Sequence, residues 1–229
     1  MSFAKMEAKA MPTQVNAAKI SEVGPIAPSK SGGVYLVCPI KVDAYDSGRG
    51  ETFYFCFRPE WFTSQFQEEV LQAESLEKYF QETHGEDVYE KNGVEKNVAT
   101  SFSFVYTSNI ANGDNNSLLQ CLFPDSDEFD AFTEKLLQLN IDAAEPDLEA
   151  LTKFLSEQLL DRKIGFVQKQ AQIKTDRVNE NGKPIYMKDN KYNVSSYFPI
   201  TEAKVKSWVK SAKNSKSGLR LTFDPDTVL

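Results

Sequence analysis

The sequence predicts an α+β protein in which a small antiparallel β-barrel carries helical insertions. Two features support this prediction. About six segments alternate apolar and polar residues with the period of a β-strand, and segments between them repeat apolar residues with the period of an α-helix. With 229 residues, 41% of them hydrophobic, the chain is long enough to bury a sizeable core in one large domain or two small ones.

The composition favours a soluble, intracellular protein. No apolar segment approaches the length needed to span a bilayer, and the first residues lack the apolar block of a signal peptide. The cysteines, Cys38, Cys56 and Cys121, lie far apart within apolar segments. This spacing favours buried free thiols over a disulfide framework.

Residues 1–30 contain few large apolar side chains and are predicted to form a flexible N-terminal arm. Residues 31–229 are predicted to form a single domain. Helical insertions are expected at about 61–83 and 126–161, and a C-terminal helix at about 201–213.

Two neighbouring strands are predicted after the arm. The segment GVYLVCPIKVDAY alternates as a strand, and its Pro39 places it at an edge or next to a bulge. In the next segment, ETFYFCFRP, every second residue is a phenylalanine that is expected to face the core. Tyr54 and Arg58 then lie on the opposite face, where a ring beside a guanidinium group is suited to stacking.

The central part of the chain is predicted to alternate between helix and strand. The spacing of apolar residues from Trp61 to Thr83 indicates a helix, whereas VATSFSFVYT has a period of two and is predicted as a strand. A turn-rich segment then leads to SLLQCLF, which is expected to complete a hairpin. Two helices follow, one over SDEFDAFTEKLLQL and one from Pro146 to Asp161.

The last part of the chain is predicted to form a long strand pair and a helix. The segment IGFVQKQAQIKTDRVNENGKPIYMKDNKYNVSSYFP contains a strand from Ile164, a turn at Asn181 and Gly182, and a return strand from Ile185 to Phe198. The helix TEAKVKSWVKSAK and a short strand GLRLTF come after it.

The charge of the chain is distributed unevenly. The net charge is -7, yet between Arg162 and Arg220 there are 14 Lys and Arg residues against 4 Asp and Glu residues. Clustered positive charge attracts polyanions, because binding to phosphates releases condensed counterions. The alternative is that the acidic and basic parts of the chain attract each other within the fold.

The strand pair also has the composition of a surface for single-stranded nucleic acid, which needs cations for the phosphates and aromatic rings for the bases. Its alternation places Ile185 and Met187 on one face and Tyr186 and Lys188 on the other. The cations are Lys163, Lys169, Lys174, Arg177, Lys183, Lys188 and Lys191. The rings are Phe166, Tyr186, Tyr192 and Tyr197, and Tyr35, Tyr54 and Arg58 of the earlier strands are expected to extend the surface.

A structural explanation of the same residues stays open. Tyrosines are common in half-buried strands, and lysines protect strand edges against aggregation. The two interpretations differ in whether Tyr186, Tyr192 and Tyr197 face outward together. If they do not, the segment is a basic hairpin without a stacking platform.

This strand pair, together with ETFYFCFRP, resembles the single-stranded-DNA-binding proteins of bacteriophages. The resemblance covers about half of the chain in architecture and composition, and it implies an oligonucleotide-binding (OB) barrel elaborated by helices. It also implies that the protein coats exposed DNA strands during replication or recombination, in the cytoplasm of a host cell, alongside other replication or recombination proteins. The chain ends in FDPDTVL, without the long acidic tail that often recruits partners in that family.

Two other functions stay open on the sequence. One is a viral structural or adaptor protein whose basic face binds an acidic protein partner. The other is a metal-dependent nuclease that uses Asp125, Asp127 and Glu128, although acidic residues at that position also favour a helix N-terminus. The single histidine, His84, has no Cys or second His nearby, which excludes a zinc site of the common type. The leading prediction is a non-catalytic binding protein, with no catalytic residue, no metal site and no cofactor. The sequence does not distinguish DNA from RNA.

Overall fold

The structure is a computed structural model, and it describes residues 10–30, 34–46, 50–91, 93–111, 116–139, 146–215 and 218–229. Its strands are β1 (Thr13–Val23), β2 (Ala27–Pro28), β3 (Leu36–Ala44), β4 (Glu51–Phe57), β5 (Val88–Lys91), β6 (Val94–Asn97), β7 (Lys163–Val178), β8 (Pro184–Phe198) and β9 (Leu219–Leu221). Its α-helices are α1 (Ser64–Gln72), α2 (Leu76–His84), α3 (Val98–Asn109), α4 (Leu118–Leu122), α5 (Ser126–Leu137), α6 (Leu148–Leu159), α7 (Glu202–Asn214) and α8 (Pro225–Val228). A 3₁₀ helix, Pro59–Phe62, precedes α1.

The strands form one mixed sheet and one small hairpin, so the predicted α+β class is confirmed. In the large sheet the order is β2-β3-β1-β7-β8, with β4 paired to β3 and β9 paired to β1. All of these pairs are antiparallel except β1 with β9, and β5 pairs with β6 separately. The prediction of a closed barrel is wrong: among the described strands, no backbone pairing joins the edges β4 and β8.

The predicted N-terminal arm is wrong for the residues that the structure describes. β1 lies at the centre of the sheet, where it pairs with β3, β7 and β9, and its Val15, Ala17, Ala18 and Ile20 are buried. Small alanines fit between closely packed layers, so a strand without large apolar residues can still be central. Residues 1–9 lie outside the described part of the chain.

Pro39 is accommodated by a gap between two partner strands. β1 pairs with β3 as far as Ile40, and β2 resumes the pairing at Val37. Pro39 falls between them, and its carbonyl oxygen accepts a hydrogen bond from the Gly24 N–H at 2.7 Å. The missing N–H of proline therefore breaks no ladder hydrogen bond on this side of β3.

The segment VATSFSFVYT forms helix α3, so its prediction as a strand is wrong. Val98, Phe102 and Tyr106 are buried at a spacing of four residues, which places them on one helical face. The Asn97 side chain accepts a hydrogen bond from the Thr100 N–H and caps the first turn. SLLQCLF is also helical, because Ser117 caps α4 by accepting a hydrogen bond from the Gln120 N–H.

Helices α5, α6 and α7 lie near their predicted positions, whereas the helix predicted at about 61–83 is divided into the 3₁₀ helix, α1 and α2. Together the helices cover both faces of the sheet. Helices α1–α6 form one layer around a large aromatic core that includes Phe53, Phe55, Phe57 and Trp61. Helices α7 and α8 cover the other face, where a second core is formed by Val15, Ala17, Val167, Phe198, Val205, Phe223 and Val228. The sheet is thus the middle of three layers.

Arg162 joins the helical layer to the start of β7. Its guanidinium group lies 3.8 Å from the centre of the Phe123 ring and forms two 3.1 Å hydrogen bonds with the Glu128 carboxylate. It also donates to the carbonyl oxygens of Leu122 and Gln158. A planar group with five donors suits this set of partners, whereas lysine does not.

We expect Arg162→Ala to lower the free energy of unfolding by about 2 kcal/mol, because it removes charge-assisted hydrogen bonds and a cation–π contact together. Chemical denaturation followed by circular dichroism measures the change. Arg220→Ala is the matched control, since Arg220 is an exposed arginine of β9, and its effect should stay within about 0.5 kcal/mol. Equal losses in both variants would contradict the role given to Arg162.

Candidate nucleic-acid interface

The second half of the β7–β8 hairpin extends beyond the sheet. β1 pairs with β7 only from Lys163 to Gln168, and further along the chain the only partner of β7 among the described strands is β8. We call residues 172–188 the ribbon. Its strands extend roughly 20 Å at about 3.3 Å per residue, and both of its faces are largely open to solvent.

A tight turn closes the ribbon at its far end. The Asn179 side chain accepts hydrogen bonds from the backbone N–H groups of Asn181 and Lys183. Gly182 has φ +71°, a conformation that costs glycine little because it has no Cβ. The predicted turn at Asn181 and Gly182 is confirmed.

The pairing register separates the ribbon into a basic face and an apolar face. Lys174 lies directly opposite Tyr186, and Gln172 lies opposite Lys188. Residues opposite each other in an antiparallel pair point to the same face, so these four side chains form the basic face. The apolar face carries Ile173 and Met187, which are also paired, and Ile185. The register therefore agrees with the predicted alternation.

The cations predicted for the site are all exposed, and most of them lie on or next to the ribbon. Lys174, Arg177, Lys183 and Lys188 belong to the ribbon, and Lys169 and Lys191 lie at its base. In the described part of the chain, no carboxylate forms an ion pair with them. Lys163 is separate: it lies at the opposite end of β7, where its Nζ donates to the Val228 carbonyl oxygen at 2.8 Å.

Most of the predicted rings do not join these cations. Phe166 and Tyr197 both pack against Phe53, with ring centres 5.2 Å apart in each case. Phe166 is completely buried, and Tyr35 is buried against Trp61 and Phe102. Phe166 and Tyr35 present no open face to a base, so the prediction of stacking is wrong for them, whereas Tyr197 is half-buried in contact with Phe53.

Tyr186, Tyr192 and Tyr197 do not face outward together. Tyr186 is 54% exposed on the basic face. Tyr192 is half-buried, and its hydroxyl donates to the Pro12 carbonyl oxygen at 2.9 Å. Only Tyr186 is therefore a freely exposed ring beside the cations. The predicted platform of three tyrosines is wrong, and the hairpin offers a single ring for stacking.

Tyr54 and Arg58 lie away from the ribbon. Tyr54 is 61% exposed on β4, at the other edge of the sheet. Arg58 is occupied within the fold: it pairs with Glu60, donates to the Val34 carbonyl oxygen at 3.1 Å and lies over the Phe102 ring. The earlier strands thus do not extend the surface as expected.

Two of the three acidic side chains proposed for a nuclease, those of Asp125 and Glu128, have structural partners. Asp125 caps α5 by accepting hydrogen bonds from the N–H groups of Asp127 and Glu128, and Glu128 pairs with Arg162. Among the residues that the structure describes, no group of three or more His, Cys, Asp or Glu side chains is placed to hold a metal ion.

Two features of the site were not found from the sequence. Ile173 completes the apolar face. Continuing the alternation of apolar and polar residues through Ile173, Lys174 and Thr175 would have placed Ile173 on that face. Exposed lysines of α7, Lys210 and Lys213, add positive charge on the same face of the sheet as Val167 and Lys169, and Lys206 of that helix pairs with Glu202.

A scan against protein-family models found no match to this chain, and searches of curated proteins and of solved structures returned none either. No helix in the described ranges is long and apolar enough to cross a membrane.

Burial raises the pKa of Tyr197 to about 12, from an ordinary value of 10.0. The folded protein therefore favours the neutral phenol, and this contribution to stability is lost as the pH rises from about 10 through about 12. In Tyr197→Phe, the free energy of unfolding should fall less steeply over this range than in the parent protein. Urea denaturation at a series of alkaline pH values measures the difference, and equal slopes would contradict the assignment.

Proposed function

We propose that this protein binds single-stranded DNA, without sequence preference, through the basic face of the ribbon. One observation carries the proposal: the exposed Tyr186 ring lies directly opposite Lys174, and Lys188 is on the same face. A base can stack on the ring while the neighbouring ammonium groups contact the phosphates on either side of it.

The distribution of charge supports the same proposal. The acidic residues are concentrated in the chain before Arg162, which includes α1–α6, whereas the ribbon and α7 carry the basic ones. Such a field steers a polyanion toward the ribbon and away from the helical layer. Lysine and tyrosine contact phosphates and the faces of bases, which are common to all sequences, so little sequence preference is expected.

The role expected from the bacteriophage resemblance follows from this binding. The protein would coat exposed strands during replication or recombination, together with other proteins of those processes. An OB-type fold stays a prediction. The proposed binding does not depend on a closed barrel, because the ribbon extends from the sheet and presents its side chains by itself. RNA carries the same phosphate groups as DNA. Titrations with oligouridine beside oligothymidine therefore compare the affinities for the two nucleic acids.

We expect Tyr186→Ala to weaken binding of a labelled oligothymidine by about 5- to 150-fold, since stacking of one base contributes about 1–3 kcal/mol. Fluorescence anisotropy at low salt measures the affinity. Tyr54→Ala is the matched control, because Tyr54 is an equally exposed strand tyrosine at the other edge of the sheet, and it should bind as the parent does.

Two results would overturn the proposal. One is the absence of oligothymidine binding at micromolar protein in low salt. The other is tighter binding to a duplex of the same length, since a two-stranded ribbon also has a suitable width for a DNA major groove.

The dependence of affinity on salt concentration tests whether Lys174 and Lys188 contact phosphate groups. Each phosphate contact to a single strand contributes a slope of about -0.7 to the plot of log affinity against log salt. Changing Lys174 and Lys188 to Ala together should make this slope shallower by about 1 to 1.5. The control variant changes Lys135 and Lys153, exposed lysines of the acidic helical layer, and it should leave the slope unchanged.

A second candidate is an adaptor that binds an acidic protein partner through the ribbon. The observation that favours it is the apolar face, where Ile173 and Ile185 are 40% and 39% exposed. Apolar contacts next to charged ones are common in protein interfaces. A pull-down that resists nuclease and excess oligonucleotide, and that Ile173→Lys abolishes, would favour this candidate over DNA binding.

A further inference from the structure

A large groove lies between helices α2 and α3 on one side and strand β8 on the other. Its volume is about 1160 Å³. The α2 and α3 side contributes Lys78, Thr100 and Phe104, and the β8 side is the segment Val194–Tyr197. The groove is on the side of the sheet that the helical layer covers, so it is separate from the tip of the ribbon.

The β8 side of the groove is the edge of the sheet. β7 pairs with β8 on its inner side, and no other described strand pairs with it. Within the described residues, the backbone of Val194–Tyr197 makes no hydrogen bond outside the sheet. An open edge has N–H and C=O groups that can pair with another extended chain.

Phe104 supplies an apolar contact within the groove. It lies on the side of α3 opposite the buried Phe102, and its side chain is 73% exposed. An exposed phenylalanine in a concave surface is typical of a site that another molecule covers. The predicted strand VATSFSFVYT would place this residue on the same face as Phe102, whereas the helical period places it on the open side of α3.

Two hydroxyl groups of the groove favour a ligand with hydrogen-bond donors. The Thr107 hydroxyl donates to the Ser103 carbonyl oxygen, and the Ser195 hydroxyl donates to the Val167 carbonyl oxygen. Each hydroxyl has one proton, so these oxygens have only lone pairs left for a ligand. Phosphate groups are acceptors and do not match them, whereas amide N–H and ammonium groups do.

The charges of the groove also favour a neutral or basic ligand. Its charged lining residues are Glu77 and Lys78, and Lys78 already pairs with Glu74. Helix α2 carries a further exposed carboxylate, Glu82, one helical turn after Lys78. This region therefore offers no attraction to the phosphates of a nucleic acid.

We propose that this groove is a strand-addition site, which binds an extended, uncharged or basic segment of a partner protein. The backbone of the segment pairs with the open edge at Val194–Tyr197. Alternate side chains then point toward Phe104, and the others point toward the hydroxyl groups or toward solvent. Strand addition gives affinity through main-chain hydrogen bonds and specificity through alternate side chains. The proposal does not depend on DNA binding by the ribbon.

The probe is a panel of labelled octapeptides. In each peptide, valine or phenylalanine residues alternate with threonine or lysine residues. Anisotropy measures the affinity, and amide hydrogen exchange measures protection of the β8 edge. We expect binding, slower exchange at Val194–Tyr197, and an affinity reduced by about tenfold or more in Phe104→Ala. Replacing lysine by glutamate in the peptide, or methylating alternate amide nitrogens, should weaken binding as well.

Leu71→Ala is the matched control, because Leu71 is another exposed apolar residue, 84% exposed, at the end of α1 and outside the groove lining. It should bind the panel as the parent does, and so should Tyr186→Ala, which separates this site from the ribbon. Thermal melting checks that each variant is folded.

Four results would overturn the proposal. The first is no binding at millimolar peptide, and the second is binding that neither Phe104→Ala nor amide methylation weakens. The third is that oligothymidine, and not the peptides, slows amide hydrogen exchange at Val194–Tyr197, which would assign the groove to nucleic acid. The last is self-association that Phe104→Ala abolishes, which would assign it to a second copy of the chain.

Discussion

The structure depends on a difference in length between two paired strands, β1 and β7. Their pairing ends at Gln168, and buried hydrogen bonds fix this register. Gln168 accepts a hydrogen bond from the Asn16 amide at 3.1 Å and donates to the Glu51 carboxylate at 2.9 Å. The Thr222 hydroxyl donates to Asn16 at 2.7 Å. A slip by one residue would leave these polar groups unsatisfied and turn the core residues of β7 toward the wrong face.

β1 begins at Thr13, opposite this point, so among the described strands the rest of β7 has only β8 as a partner. β8 has three different environments. Near its end, Phe198 packs in the second core beneath Trp208. Its segment Val194–Tyr197 forms the open edge along the groove. Its first residues form the ribbon, where an isolated two-stranded pair is only marginally stable in water. One strand thus connects the core to both proposed binding surfaces.

The sequence predictions succeeded where the structure of a segment depends on residues close to it in the sequence. Helix caps and apolar periods are local, and they located α5, α6 and α7. The face of Tyr186 and Lys188 followed from simple alternation. VATSFSFVYT has the β-branched and aromatic residues of a strand, and only the Asn97 cap and its packing with α2 make it helical. β1 was missed because small residues become core only when other strands close around them.

The sequence by itself determined the α+β class, the concentration of positive charge after Arg162 and the alternation that separates lysines from apolar residues in the ribbon. These properties depend on residue type and spacing, which the chain carries in any conformation. Only the tertiary structure decided which rings are exposed: Phe166 and Tyr197 pack against Phe53, whereas Tyr186 and Phe104 are 54% and 73% exposed. Burial depends on which distant segments come together, and local spacing does not specify that.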